Sequence, residues 1–227
     1  MKKNICKIIA AMMTAVMLCS INVYAAGNST ADILNSATVT PTDTPSGSQL
    51  LDEMIVYLLS QITTPEMTTY DKAKACYDWL IAYMQYGTPG FELVNADPLS
   101  FVTYGDYIGY VALASATGVC DDYSYIYSEM LKAIGLNSYL VSGKTHKASG
   151  GYTGHTWVVA NIDGVEYIFD PQIEDNIAKG GTVAYYRFCK TYAQVPDKYI
   201  PYDPQPTTIY SADPQALQTA GIRVIFY

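Results

Sequence analysis

The sequence predicts an α+β fold in which helices come first and an antiparallel sheet follows. Apolar residues recur at helical spacing up to about residue 135, and beyond it apolar and polar residues alternate with a period of two. The dipeptide Asp163-Gly164 between two alternating segments is typical of a tight β-hairpin turn. The chain of 227 residues, half of them hydrophobic, is long enough for one domain with appendages.

The first 26 residues are predicted to be a secretory signal peptide and not a part of the fold. Three lysines precede an apolar run over residues 8–18, and small residues close the segment at Ala25 and Ala26. The run is short for a membrane span. We therefore expect cleavage, a secreted or cell-surface location and no stable span in the mature protein, with an uncleaved anchor as the alternative.

The charge and the spacing of potential ligands exclude several classes of function. Removal of the signal takes away three lysines and no acids, so the formal charge goes from −8 to −11. A chain this acidic repels phosphates, and we expect no nucleic-acid partner. The two histidines are nine residues apart and no cysteine pair has zinc-ligand spacing, so we expect neither metal nor cofactor.

Helices are predicted for the first half of the domain. Residues 27–48, rich in Ser, Thr and Pro, indicate a flexible linker. A domain over 49–227 follows, with a core at about 50–175 and a C-terminal extension at 176–227. Helical periodicity covers Leu50 to Ile62 and Thr69 to Met84, and residues 86–103 are expected to form a loop.

A central helix and three strands complete the predicted core. The helix begins near Cys120 and ends at Gly135, a residue common just past helix ends. The predicted strands are Ser138–Ser142, His155–Ile162 and Val165–Asp170, and residues 144–151 are expected to form a mobile loop. A closing strand is expected at 222–227.

Cys120 is the candidate nucleophile. A thiol at the first turn of a helix feels the positive end of the helix dipole, which favours the thiolate. The free amides there can stabilise an oxyanion, and Gly118 is expected to leave space for a substrate. After signal cleavage Cys76, Cys120 and Cys189 remain, an odd number, so at least one thiol is free or pairs with another molecule. Cys76 is interpreted as a core residue, although a Cys76–Cys189 disulfide stays open.

His155 is the stronger of two candidate bases because it lies in a predicted strand, whereas His146 lies in the predicted loop. If the hairpin turns at Asp163-Gly164, facing residues have numbers that sum to 327. His155 and Asp170 are then diagonal neighbours on one face of the sheet, within reach of a hydrogen bond. A carboxylate that orients an imidazole, which in turn takes a thiol proton, gives an activated nucleophile.

Several motifs in order resemble the transglutaminase-like superfamily. They are Gly118-Val119-Cys120, Tyr123-Ser124, Gly135-Leu136, Val141-Ser142-Gly143, His155-Thr156-Trp157 and Phe169-Asp170-Pro171, preceded by Tyr70 to Tyr86 and Tyr110 to Leu113. The resemblance covers about residues 50–175. It implies a papain-like core in which Cys120 is nucleophile, His155 base and Asp170 orienting residue.

The resemblance also implies two hydrogen-bond donors for an oxyanion. One donor is the backbone amide of Cys120, and the second is an upstream aromatic or amide side chain, for which Tyr110 is a weak candidate. The departures from the family pattern are Asp122 in place of glycine, Thr156 in place of alanine and Val158 in place of asparagine. Asp121 and Asp122 oppose a thiolate at Cys120, which leaves the electrostatics of the site open.

Three functions follow as alternatives. The first is a secreted amide acyltransferase or amidase that forms a thioester with an extracellular protein or peptide, including cell-wall peptides. The second is a cysteine protease that only hydrolyses, and the third is a non-catalytic binding domain with the same fold. The 22 tyrosines indicate either an aromatic groove or tyrosines that pack in the core in place of phenylalanine, which we favour.

Overall fold

A computed structural model describes residues 29–220. Within this range the helices are Thr30–Ser36 (α1), Gln49–Ile62 (α2), Thr69–Tyr83 (α3), Tyr104–Ser115 (α4), Cys120–Ala133 (α5), Pro171–Ala178 (α6) and Pro214–Thr219 (α7). The strands are Gln85–Tyr86 (β1), Thr117–Gly118 (β2), Asn137–His146 (β3), Tyr152–Ile162 (β4), Val165–Phe169 (β5), Phe188–Lys190 (β6) and Tyr199–Pro201 (β7). The predicted signal peptide and closing strand lie outside the described residues.

The main sheet has five antiparallel strands in the order β6-β5-β4-β3-β7. This confirms the predicted α+β class with an antiparallel sheet. Both edge strands, β6 and β7, come from the C-terminal extension, so the extension completes the sheet. Strands β1 and β2 form a separate parallel pair in which Tyr86 lies opposite Gly118. No helix within residues 29–220 is long and apolar enough to cross a membrane.

The predicted register of the β4-β5 hairpin is confirmed. Val158 pairs with Phe169 and Ile162 with Val165, so the facing numbers sum to 327. Asp163 and Gly164 both have positive φ, +52° and +84°, as a two-residue hairpin turn of this kind requires. One face of the sheet joins the helical core, and the other forms a smaller cluster with the extension. That cluster consists of Val141, Trp157, Val159, Ile168, Val195 and Tyr199.

The central helix α5 packs on the helical face of the sheet. It begins at Cys120, as predicted, and Ser124 Oγ donates to the backbone oxygen of Thr156 in β4 at 3.0 Å. The predicted apolar stripe is buried, and it comprises Tyr123, Ile126, Tyr127, Met130, Leu131 and Ile134. Burial of the stripe sets the rotation of α5 about its axis, and the Ser124 bond ties the helix to β4.

Helix α4 has no counterpart among the predicted elements. Every residue from Tyr104 to Leu113 is buried, so the helix has no polar face and gives no amphipathic signal. Gly105 and Gly109 allow the ring of Tyr125 to lie against the backbone, because an added Cβ would lie 2.8 and 2.9 Å from ring atoms. Glycine disfavours helices in isolation, and tertiary packing overrides that preference here.

The prediction of a flexible linker over 27–48 is wrong for its described part. Helix α1 lies there, and Leu34 within it is fully buried in the core. The amides of Thr40 and Thr42 donate to the backbone oxygens of Gly135 and Ala133 at 3.1 and 3.2 Å. A helix end leaves such carbonyls without partners, so docking satisfies them. The predicted loop at 144–151 is also shorter, because β3 continues to His146.

The docking of residues 40–42 predicts unequal costs for two glycine substitutions. Gly135→Ala places a Cβ 2.6 Å from the Thr40 amide nitrogen at a φ of +97°, whereas Gly164→Ala meets only the strain of a positive φ. We expect a loss of about 1 kcal/mol in the free energy of unfolding for Gly164→Ala and about 3 kcal/mol for Gly135→Ala. Urea denaturation measures both, and equal losses would contradict the docking.

Candidate active site

Cys120 is the first residue of α5, and its side chain is partly exposed. The helix start is held by Asp122, whose Oδ2 accepts from the backbone N–H of Val119 at 2.7 Å. The amides of the first turn point towards the end of the helix where the thiol lies. The structure thus has the thiol at the helix start that the sequence predicted.

Asp122 acts as the cap of the helix that carries the thiol. Its second oxygen accepts from the Tyr210 hydroxyl at 2.7 Å, and the residue is 1% exposed. Burial raises the pKa of this carboxyl to about 6, against the lowering effect of its two donors. Gly118 makes room for the cap, since an added Cβ would lie 2.7 Å from Asp122 and 2.8 Å from Met84. This corrects the expectation that Gly118 leaves space for a substrate.

Asp121 joins the helix to the strand that carries His155. Its Oδ1 accepts from the Thr156 hydroxyl at 2.6 Å, and its Oδ2 lies 3.9 Å from the donating Cys120 Sγ. The two departures at positions 122 and 156 thus have structural partners. Asp122 caps α5, and Thr156 binds Asp121 and so directs one oxygen of that carboxylate away from the thiol.

His155 lies in β4 and is hydrogen-bonded to Asp170. The atoms His155 Nε2 and Asp170 Oδ2 are 2.7 Å apart, and both side chains are buried. Burial lowers the pKa of His155, but the charge and hydrogen bond of Asp170, together with a hydrogen bond to Cys120, raise it to about 10. With Nε2 engaged by Asp170, the imidazole has Nδ1 for the thiol. The three predicted residues are therefore brought together.

Asp170 is fully buried at the end of β5, where it caps helix α6. Its Oδ1 accepts from the backbone N–H of Ile173 at 3.0 Å, and its Oδ2 also accepts from the Tyr199 hydroxyl at 2.7 Å. Burial favours the neutral acid, but His155 and these donors outweigh it and lower the pKa of Asp170. The carboxylate is thus held charged beside the imidazole.

The other histidine and the other two cysteines lie apart from this arrangement. His146 is exposed at the end of β3, where its ring meets Tyr152 edge-on. Cys76 is fully buried in the core, as interpreted, and burial raises its pKa to about 12. Cys189 is also buried with a pKa of about 12, raised by the same cause. All three thiols are free, so the disulfide that stayed open does not form.

Tyr86, and not Tyr110, interacts electrostatically with Cys120. Tyr110 is buried in α4 and its ring packs against Phe101 at 5.4 Å between centroids. Tyr86 is 58% exposed, and partial burial together with the charges of Cys120, Asp121 and Asp122 raises its pKa. The tyrosine at the end of the motif Tyr70 to Tyr86 was a signal that could have identified it. The tail residues Tyr199 and Tyr210 had no such signal.

Comparison with known proteins identifies one family and several distantly similar structures, of which two are described. The profile of the transglutaminase-like superfamily matches residues 57–171, half of the chain. A protein from Cytophaga hutchinsonii named as a cysteine protease is 17% identical, with a TM-score of 0.41, and the match covers 70% of this chain and 47% of that one. A structure named as a TGase is 18% identical, with a TM-score of 0.36, over 55% of this chain and 31% of that one.

The two solved structures are longer than this chain and only distantly similar to it. The chain spans less than half the length of either solved structure, and similarity at these TM-scores says nothing about its activity. No curated protein matches the chain significantly. The family profile ends at Pro171, so the extension with Tyr199 and Tyr210 lies beyond it.

The difference in burial between Cys120 and the other two thiols predicts selective alkylation. At neutral pH, iodoacetamide should label Cys120 in the native protein, because it is partly exposed beside an imidazole. Cys76 and Cys189 react only when the core opens. An opening free energy of about 5 kcal/mol makes their alkylation about 5 × 10³-fold slower. Peptide mass spectrometry gives the three rates, and a guanidinium-unfolded sample in which all three react alike is the control. Failure of Cys120 to react first would contradict an activated thiol.

Proposed function

Because the chain belongs to the transglutaminase-like superfamily, we propose that it is a thiol-dependent amide acyltransferase or amidase that is secreted and acts on extracellular protein or peptide. Cys120 is the nucleophile, His155 the base and Asp170 the residue that orients the imidazole. The observation that carries the proposal is the 2.7 Å bond between His155 and Asp170, on an imidazole that also interacts with Cys120.

The reaction proceeds in two steps. In the first, the Cys120 sulfur attacks the carbonyl carbon of an amide while its proton resides on His155. The tetrahedral oxyanion collapses, the C–N bond breaks, and the imidazolium gives its proton to the leaving amine. In the second step, an amine or water attacks the thioester and transfers a proton to His155, and Cys120 is released. An amine gives acyl transfer and water gives hydrolysis.

Two donors near the thiol support stabilisation of the oxyanion. The backbone amide of Cys120 is free at the helix start, where the dipole favours negative charge. The phenol of Tyr86 is the side chain that we assign as second donor, because it interacts electrostatically with Cys120 and is exposed enough to meet a substrate. The pairing of β1 with β2 places Tyr86 opposite Gly118, two residues before Cys120.

The buried hydrogen-bond network around Asp170 favours catalysis over a binding role. A domain that only binds has no need for a buried charged pair, because burial of a carboxylate costs free energy unless donors surround it. Hydrolysis alone uses the same residues, so the protease alternative differs only in the acceptor. Peptides of the cell wall fall within the same substrate class.

A single incubation separates these alternatives. The mature protein is mixed with a glutamine-containing peptide and a labelled primary amine, and the products are analysed by mass spectrometry. Amine incorporation supports transfer, while free acid or backbone cleavage supports hydrolysis. Cys120→Ser should abolish both products, and His155→Ala should lower their rate by about 10³-fold or more. If Cys120→Ser forms product as fast as the wild type, the assigned nucleophile is wrong, and if a wide panel of peptides gives no product, the binding alternative is favoured.

The assignment of Tyr86 predicts the effect of a conservative substitution. Tyr86→Phe removes one oxyanion donor, so kcat should fall by about 10²-fold while KM changes little. Tyr110→Phe is the matched control, because it removes a hydroxyl from a tyrosine packed against Phe101. Steady-state kinetics on a small amide substrate measures both, and equal effects of the two variants would refute the assignment.

A further inference from the structure

We propose that Tyr199, which lies in the C-terminal extension, is a positioning residue for the histidine. The inference rests on the proposed function, since it concerns the carboxylate that orients the base. Tyr199 lies in β7, opposite Thr145 of β3, and is 5% exposed. The extension thus supplies a part of the site that residues 57–171, covered by the family profile, do not contain.

The geometry shows a hydroxyl and an imidazole on one carboxylate oxygen. Tyr199 donates to Asp170 Oδ2 at 2.7 Å, and His155 Nε2 lies 2.7 Å from the same atom. The other oxygen is taken by the amide of Ile173. With both oxygens engaged, the carboxylate is fixed about its own side-chain torsion, and the direction in which it holds the imidazole is fixed with it.

The tyrosine ring is itself held in place. Its centroid lies 4.9 Å from the Trp157 ring, and the Arg187 guanidinium lies 5.8 Å from it on a face. Trp157 in turn stacks on His155 at 6.4 Å with an interplanar angle of 20°. Trp157 therefore packs against both rings, and the Tyr199 hydroxyl reaches Asp170 from a fixed position.

His155, Tyr199 and Tyr77 are the ionisable groups that contact Asp170, and the charges of Glu174 and Arg187 act on the Tyr199 hydroxyl beside it. The hydroxyl of Tyr77 donates to the backbone oxygen of Asp170, not to its carboxylate. Glu174 accepts from the backbone amide of Arg187. Among the described side chains, the hydrogen bonds to the carboxylate of Asp170 come from His155 and Tyr199.

The Tyr199 hydroxyl donates to the charged form of Asp170, so its loss should change the pKa of Asp170 in a defined direction. It is one of the contacts that keep the pKa of Asp170 low, and without it that pKa rises. Protonation of Asp170 removes the partner of the imidazolium, and the acid limb of Cys120 reactivity should then move to higher pH. A hydrogen bond to a charged group corresponds to a shift of about one pH unit.

The experiment compares Tyr199→Phe with Tyr192→Phe. Tyr192 packs against the same small cluster and accepts from Trp157 Nε1 at 3.2 Å, so its variant loses a comparable hydroxyl without a bond to Asp170. The rate of Cys120 alkylation is measured against pH for both variants and the wild type. We expect the acid limb of Tyr199→Phe to shift up by about one unit and kcat to fall about tenfold with KM unchanged. The acid limb of Cys120 alkylation in Tyr192→Phe should have the same midpoint as in the wild type.

Each other outcome decides the question. If the two variants have the same acid limb, Tyr199 has only a packing role and the proposal is overturned. If Tyr199→Phe does not fold, proton NMR of the wild type replaces it. The chemical shift of the Tyr199 hydroxyl proton should change with pH, with the same midpoint as the acid limb of alkylation. A chemical shift that does not change over that pH range overturns the proposal. Alkylation needs no substrate, so a shifted limb without amide turnover would sink the proposed function and leave this inference standing.

Discussion

The buried carboxylate of Asp170 is the group on which the rest of the site depends. An unpaired buried charge costs several kcal/mol, and here every oxygen has a donor. Ile173 binds one oxygen, and His155 and Tyr199 bind the other. The backbone of the same residue donates to Arg187 and accepts from Tyr77, so helices α3 and α6, strand β5 and the extension all meet at this position.

Asp122 has a similar position beside Cys120, but its pKa is shifted in the opposite direction. Both carboxylates are buried, and each accepts from a backbone amide and from a tyrosine of the extension, Tyr199 or Tyr210. Burial nevertheless raises the pKa of Asp122 to about 6, with Asp121 adding to the effect, whereas the imidazole keeps the pKa of Asp170 low. Around neutral pH the charge of Asp170 is therefore the better stabilised of the two.

Local chemistry explains which parts of the structure the sequence could predict. The hairpin register follows from a two-residue turn and alternation. The extent of α5 follows from its apolar stripe and from Gly135 just past its end. Helix α4 gave no signal because it is buried all round, and residues 40–42 dock through backbone amides, which composition does not report. Tyr199 is 29 residues from Asp170 along the chain, and its role depends on the pairing of β7 with β3, which no local pattern encodes.

Thr156 explains how the two halves of the site are kept in one arrangement. The nucleophile lies on a helix and the base on a strand, so their separation depends on contacts between α5 and β4. The carbonyl of Thr156 accepts from Ser124, and its hydroxyl donates to Asp121 at 2.6 Å. These bonds connect the neighbours of His155 and Cys120 across two elements. An alanine at position 156 would keep the backbone bond but lose the hydroxyl that holds Asp121 Oδ1. The threonine and the aspartate are therefore best understood as one paired feature of this chain, in which a polar residue in the strand offsets a carboxylate next to the nucleophile.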